Sequence, residues 1–290
     1  QVATGAGSGG GALAVPPFDP TTAPPVAVPP GEEVGEVGGV GIRGGSMPIL
    51  IWITDAESHN SAVTQNFYQS IPGVSPSSSA QALAAINNIG GRIIGVMSAE
   101  AARPDLIHGA IETRAVVGPE DWGTDSRPPG CAVSQCCTGV NGTGVSAVSG
   151  RCPLVFEISA DGAGLGTAVT DGIQKLLTSG SSDISADLVM NLDDDIDSVS
   201  AFVERVVADN TAPPPCTQGL TAIDTNADSV PDTFTGVTPG SIVCFKVELK
   251  INQTVAPTVA PQYFSANLDI IADGVTVLET RGVHFRVPGS

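Results

Sequence analysis

The sequence is short of positive charge: 12 Lys and Arg stand against 30 Asp and Glu, giving a formal net charge of −18 over 290 residues. With no Lys/Arg stripe to neutralise phosphates, this balance argues against nucleic acid as a partner. It suits solubility and divalent cations instead. Aromatic residues are scarce, at 4%, and no apolar run approaches the ~20 residues that a membrane-spanning helix needs. G-x-S-x-G, H-E-x-x-H and G-x-x-x-x-G-K are all absent, which removes the common hydrolase, metalloprotease and P-loop signatures. There is no C-x-x-C pair, and no His lies near the cysteine cluster, so the six cysteines (Cys131, Cys136, Cys137, Cys152, Cys216 and Cys244) read as disulfides in an oxidising, extracellular compartment rather than as zinc ligands. The chain starts at Gln1 with neither an initiator Met nor a signal peptide, so a processed or incomplete chain is expected.

Hydrophobic residues make up 41% of the chain, enough for about two domains with their own cores. Residues 1–46 are Gly, Pro, Ala and Val with almost no periodicity, the composition of an extended polyproline-like segment; Val residues and Phe18 leave room for a long ordered loop. Met47 to Asn60 (MPILIWITDAESHN) is the stretch around which the rest is organised. Its apolar run ends abruptly at Asp55, which predicts a central strand buried on both faces with polar residues at its ligand-bearing end. Ser61 to Ile71 predicts a short helix. A second helix is expected after Ser77, Ser78 and Ser79, with Leu83, Ile86 and Ile89 on one stripe and Gly90-Gly91 at its end. Arg92 to Met97 is a second strand, which implies a parallel crossover. A helix around Asp105 to Glu112 precedes an irregular, disulfide-stapled insertion over 118–152. There, adjacent Cys136 and Cys137 leave two pairings open, 131–136 with 137–152 or 131–137 with 136–152. Pro153 to Ile158 predicts a third strand and Leu165 to Leu177 an amphipathic helix.

From about residue 186 the period changes to that of strands: Ala201 to Ala208, Ser241 to Ile251, Tyr263 to Ile271 and Val275 to Val287. In Val243 to Ile251 alternate residues are apolar, the pattern of a half-buried antiparallel sheet. The expected architecture is therefore an α/β domain over 47–185, with a mostly parallel sheet and helices, and an all-β sandwich over 186–290. Cys216 and Cys244 are expected to form the disulfide of the second.

Asp224, Asn226, Asp228 and Asp232, with the carbonyl of Val230, place oxygens at positions 1, 3, 5, 9 and 7 of a short loop, the ligand pattern of a calcium site. Ser229 and Thr235 stand where an EF-hand needs Gly and Glu, so the loop is not an EF-hand. It resembles a thrombospondin type 3 calcium loop. Asp193, Asp194, Asp195 and Asp197 read as a solvated linker between domains. Asp161-Gly-Ala-Gly-Leu-Gly166 opens a helix, but its spacing is not that of a phosphate loop, and Asp161 would repel a phosphate. His59 follows the first strand beside Ser58; sequence neighbours point apart, so a hydrogen-bonded loop His is the reading.

ILIWITDAESH, RIIGVM and PLVFEISADGAGLGTAVTDGIQKLL resemble, in order, the later half of a von Willebrand factor A domain of the integrin β-like type. DTNADSVPDTFTGVTPGSIVCFKV and VLETRGVHFRVP resemble the Ig-like domain that trails such A domains in secreted bacterial surface proteins, notably myxobacterial ones. The resemblance implies a divalent-cation adhesion site to which Asp55 would contribute one ligand, for Mg2+ or Ca2+. The family's D-x-S-x-S ligands are absent from the 290 residues, so a protein partner, a neighbouring subunit or an upstream segment would have to supply the missing half. The chain is accordingly expected to be a non-enzymatic adhesion protein, or a structural subunit that forms a homo-polymer. A secreted hydrolase is the third reading.

Overall fold

The computed structural model describes Ile42 and residues 46–64, 77–124 and 127–289. They divide into two compact units between Ser181 and Ser182. The expected helix over Ser61 to Ile71 falls mostly outside the described residues; its first part, 61–64, includes a turn.

The first unit is α/β. Strand β1 (Ile49–Thr54) is followed by helix α1 (Ser79–Asn88), strand β2 (Arg92–Met97) and helix α2 (Arg103–Glu112). Ser78 caps α1 by accepting from the Gln81 backbone N–H at 3.2 Å, while Gln81 Oε1 accepts from the Ser78 N–H at 2.9 Å. This reciprocal pair satisfies two otherwise orphaned donors and fixes where the helix begins. Strand β3 (Val116–Val117), β4 (Gln135–Cys136), β5 (Val145–Ser146), β6 (Cys152–Pro153) and β7 (Val155–Glu157) come next, then helix α3 (Leu165–Ser179).

Strands β1, β2 and β7 form one parallel sheet in that order. Every residue of β2 is buried. Alternation along β2 decides what covers each face. A Cβ on Gly95 would lie 3.0 Å from Leu106 Cβ of α2, and one on Gly172 of α3 would lie 2.8 Å from Ile94 Cγ2. Helices α2 and α3 thus press on opposite faces of β2. Helix α1 lies on the α2 side, where Leu83 and Ile86 pack with Ile93, Leu50 and Trp52.

The expectation of a central, doubly buried β1 is corrected. Among the described strands β1 is the outermost of the three, its residues are half-buried, and Ile53 is 54% exposed. An apolar run records that helices and core lie on both faces; it carries no information about the edges. The expected strand Pro153 to Ile158 also divides. Cys152 and Pro153 pair with β3 and Val155 to Glu157 with β2; the change falls at Leu154, whose N–H still donates to the Ala115 carbonyl at 2.9 Å while its own carbonyl accepts from the Gly95 N–H of β2 at 2.9 Å.

The 118–152 excursion is held by two disulfides, Cys131–Cys137 and Cys136–Cys152. Adjacent residues of extended chain point apart, so Cys136 and Cys137 take different partners. Arg127 locks the same turn: its guanidinium donates to the carbonyls of Pro119, Gly123 (2.7 Å), Ala132 (2.6 Å), Val133 (2.8 Å) and Gln135 (3.0 Å). One rigid planar fork thus replaces the ladder this irregular backbone lacks.

The second unit consists of strand β8 (Ser182–Met190), helix α4 (Ser198–Phe202), then β9 (Val203–Ala208), β10 (Thr221–Ile223), β11 (Thr233–Val237), β12 (Phe245–Leu249), β13 (Gln262–Ala272) and β14 (Thr276–Val287). Five strands form an antiparallel sheet in the order β10-β11-β8-β13-β14, and β9 pairs with β12. Phe234, Ile184 and Ala272 of the large sheet share a core with Ala208 and Phe245. Phe202 stacks between Phe264 and Phe285 in a second core, with centroids 5.4 and 5.3 Å away. Cys216 and Cys244 are disulfide-bonded, as expected.

Four expectations for this unit change. The division falls at 181/182 rather than 185/186, because β8 begins in a polar Ser/Asp stretch that carries no apolar alternation. Ala201 and Phe202 are helical, capped by Asp197. Strands β10 and β11 are additional. The alternation predicted for Val243 to Ile251 breaks at a register shift between Glu248 and Leu249, beyond which Leu249 and Ile251 are 62% and 84% exposed.

The close approach of α3 to the sheet yields a test. Gly172→Ala should cost about 1–3 kcal/mol in urea unfolding, since the new methyl meets Ile94 and Phe156. Gly166→Ala on the same helix meets nothing within 4 Å and should be neutral or stabilising by up to about 1 kcal/mol. Equal effects at both positions would contradict the packing described.

Candidate functional site

Strand β1 delivers its polar residues at its C-terminal end. Thr54 turns the chain with a hydroxyl that donates to the Ala56 carbonyl at 3.0 Å and accepts from the Ala56 N–H at 3.2 Å. Asp55 and His59 are exposed there. The chain then curls over the start of α2, where Asp105 gathers it in.

Asp105 is the residue that sequence reasoning missed. It is 3% exposed. Its carboxylate accepts from the Ser58 N–H at 2.7 Å, from the Ser61 hydroxyl, and from the Thr64 hydroxyl at 3.3 Å. It lies in the first turn of α2, just after Pro104, where exposed peptide N–H groups favour a negative charge. Arg-Pro-Asp is a helix-start pattern, and that signal was available; the burial and the three donors were not. Asp105 thus ties the 58–64 loop to α2 and fixes the direction in which the chain leaves β1.

Beside this network lies a cavity of about 320 Å³. Leu50, Trp52, Leu83, Ile86 and Ile93 make its apolar wall, and Ser58, Ser61, Asp105 and His108 lie at its border. Asp55 is not among its lining residues. Ser58 and His108 border the same space, but Ser58 contributes a backbone N–H to Asp105, which is a structural bond.

The Asp224 to Asp232 loop connects β10 to β11. Asp224 accepts from the N–H groups of Asn226 (3.1 Å), Ala227 (2.7 Å) and Ser229 (2.8 Å). Asn226 accepts from Asp228 N–H at 3.0 Å, and Asp228 from Val230 N–H at 2.8 Å. Ala227 and Ser229 take left-handed φ values of 66° and 71°, which curl the loop. Asp232 closes it by accepting from the Thr225 hydroxyl at 2.7 Å. Burial pushes the Asp232 carboxyl up, but hydrogen bonds from Thr225 and Thr233 and from the backbone N–H groups of Thr225 and Asn226 outweigh it, and the net direction is down. The anionic form is favoured, as a cation site requires. The four side chains are nevertheless turned toward peptide N–H groups. Among the described residues no three Asp, Glu, His or Cys side chains are gathered as a metal-ion site.

The Asp193 to Asp197 run lies inside the second unit, which corrects the linker reading. Asp194 accepts from the Ser265 N–H at 2.6 Å, and Asp197 caps α4 through Ser200 N–H at 3.0 Å. In the Gly-rich turn before α3, Asp161 accepts from the Ala163 N–H at 3.0 Å, using the amide a phosphate loop would present.

Asp105→Ala strands the Ser58 N–H and the Ser61 hydroxyl at a buried position. It should cost about 2–3 kcal/mol in urea unfolding and open the 58–64 loop to proteolysis. Wild-type stability and cleavage rate in that variant would show that the network does not hold the loop.

No protein-family model matches the chain, and neither a curated protein nor a solved structure matches it.

Proposed function

We propose that the protein is an extracellular, non-enzymatic adhesion or interaction protein that works with divalent cations. The observation that carries the reading is the position of Asp55. It is exposed, directly after the last residue of a parallel strand, at the end of the sheet where α/β folds collect ligand groups. One carboxylate is too few for a hard cation, which takes about six or more oxygens, so in this reading a partner or another segment completes the site around Mg2+ or Ca2+. Three disulfides and the absence, among the described residues, of any helix long and apolar enough to cross a membrane fit this compartment.

The Asp224 to Asp232 loop is the second cation element of the proposal. Each carboxylate oxygen has two lone pairs, so one that accepts a peptide N–H keeps acceptor capacity for an ion. Asp224, Asn226, Asp228 and Asp232, with the Val230 carbonyl, would hold Ca2+ after a modest tightening of a loop already curled in the required sense.

A second reading, a structural subunit of a fibre or surface layer, is favoured by the flank of β1. Among the described strands β1 pairs with β2 alone, and Leu50 and Trp52 line the apolar cavity at its side. A strand or side chains from another segment or copy would bury that surface.

Calcium decides the cation element. Removing it with EDTA should lower the melting temperature by a few degrees, and the combined variant Asp224→Ala with Asp228→Ala should show no such difference. Asp55→Ala should leave this calcium effect intact. Superimposable melting curves of the wild type with and without EDTA would sink the loop assignment.

A further inference from the structure

Helix α2 sets two polar side chains one turn apart at the border of the apolar cavity, Asp105 and His108. Asp105 is 3% exposed, and its three donors, the Ser58 N–H at 2.7 Å and the hydroxyls of Ser61 and Thr64, are all neutral. Among the described residues no Lys, Arg or His forms an ion pair with it, and no described Lys or Arg lines the cavity. Peptide dipoles at the start of α2 offset part of its charge. A buried anion without a counter-cation is otherwise costly. Its two oxygens offer about four lone-pair sites, so three donors leave one to spare. His108 is half-buried, and no described residue hydrogen-bonds to its ring.

We propose that the cavity binds a lipophilic primary amine, its ammonium group held by Asp105 and His108 and its apolar body packed against Leu50, Trp52, Leu83 and Ile86. Charge complementarity selects the head group. A fatty acid would bring a second carboxylate to Asp105 with no cation at hand, and an alcohol or hydrocarbon would leave Asp105 without a counter-charge. An ammonium group supplies that charge, and its three N–H donors can reach both the remaining carboxylate site and an imidazole nitrogen.

The wall selects the body. Trp52 lies across Gly109 of α2, where a Cβ would come within 3.2 Å of the indole Cζ3, so the absence of a side chain at 109 gives the ring its place. The cavity measures about 320 Å³. Since an apolar cavity of ~150 Å³ accommodates benzene, this one suits a body of about eight to ten carbons. The inference concerns neither Asp55 nor the 224–232 loop and stands whether or not they hold a cation.

Isothermal titration calorimetry of the full chain in EDTA tests it with octylamine, octan-1-ol and octanoate, which share a chain and differ in head group. Octylamine should bind at one site at least about tenfold more tightly than octan-1-ol, and octanoate should not bind measurably. Asp105→Asn keeps an acceptor for the Ser58 N–H but removes the charge, and should bring octylamine down to the affinity of the alcohol. Ala82→Phe projects a ring from the cavity wall on α1 and should abolish binding of both. This variant leaves the Asp105 network intact, so it decides the matter even if Asp105→Asn does not fold. It also changes no charge, which separates the cavity from general attraction of amines to a chain of net charge −18. Far-UV circular dichroism establishes that each variant is folded. No binding of octylamine, equal affinities for amine and alcohol, octanoate as tight as the amine, or octylamine undiminished in Ala82→Phe would each overturn the proposal.

Discussion

A chain with 30 acidic and 12 basic side chains cannot neutralise its carboxylates by ion pairing, and in this fold many aspartates are held instead by peptide N–H groups. Asp105 takes the Ser58 N–H, Asp121 the Gly118 N–H, Asp194 the Ser265 N–H, Asp183 the Gly236 N–H, and Asp224 three amides of its own loop. The cations Arg103, Arg205, Lys246 and Arg281 pair with glutamates. Asp121 and Asp224 hold the backbone of their own turns, whereas Asp105, Asp183 and Asp194 each fasten a segment 47, 53 and 71 residues away in the chain. Hydrogen bonds to the anion then favour its charged form. Asp197 and Asp209 are held below the usual carboxylate range by the side chains and N–H groups of Ser200 and Thr211. A depressed folded value stabilises the fold above the unfolded carboxylate value of ~3.9 and is lost as pH falls through the folded one.

This constraint shapes both units, and it governs loops more than strands. Strands are set by apolar packing, as in β2, where helices approach closely enough that glycine stands at the contacts with α2 and α3. Several turns are set by carboxylates. The 58–64 loop is drawn to α2 by Asp105, the 191–198 turn is tied to β13 by Asp194, and the 224–232 loop is wound around Asp224. The segments that carry the candidate chemistry are therefore also those the acidic composition organises.

Much of the first unit was legible because its signals are local. Ser78 with Gln81 and the Gly90-Gly91 stop define α1; the apolar run of β2 and the stripe of α3 are plain in the sequence. What failed depended on partners far along the chain. The position of β1 in the sheet is a matter of edges, on which periodicity is silent. Strands β10 (TAI) and β11 (TFTGV) hold strand-forming residues but are short runs either side of an acidic loop, and β8 starts in serines and aspartates, so no sustained apolar alternation marks them. The faces of Leu249 and Ile251 depend on a bulge that no local pattern announces. Of the candidate site, the acidic loop and Asp55 could be read from spacing and from a run that ends in Asp, and the cysteine pairing could be narrowed to two choices. Asp105 could be placed in a helix start but not recognised as the anchor of a loop 41 to 47 residues away in sequence.

We propose that the aspartates committed to amides of the 224–232 loop also hold a cation, in which case ion binding and loop order would be one event. Amide hydrogen exchange of the full chain with and without Ca2+ tests it most directly, because it reads the loop itself. If the loop holds the ion, the N–H groups of Asn226, Ala227, Asp228, Ser229 and Val230 should exchange more slowly in Ca2+, while those of β13 and β14 should be unchanged. Identical exchange across 224–232 in the presence and absence of Ca2+ would contradict it, leaving these carboxylates as turn-formers alone.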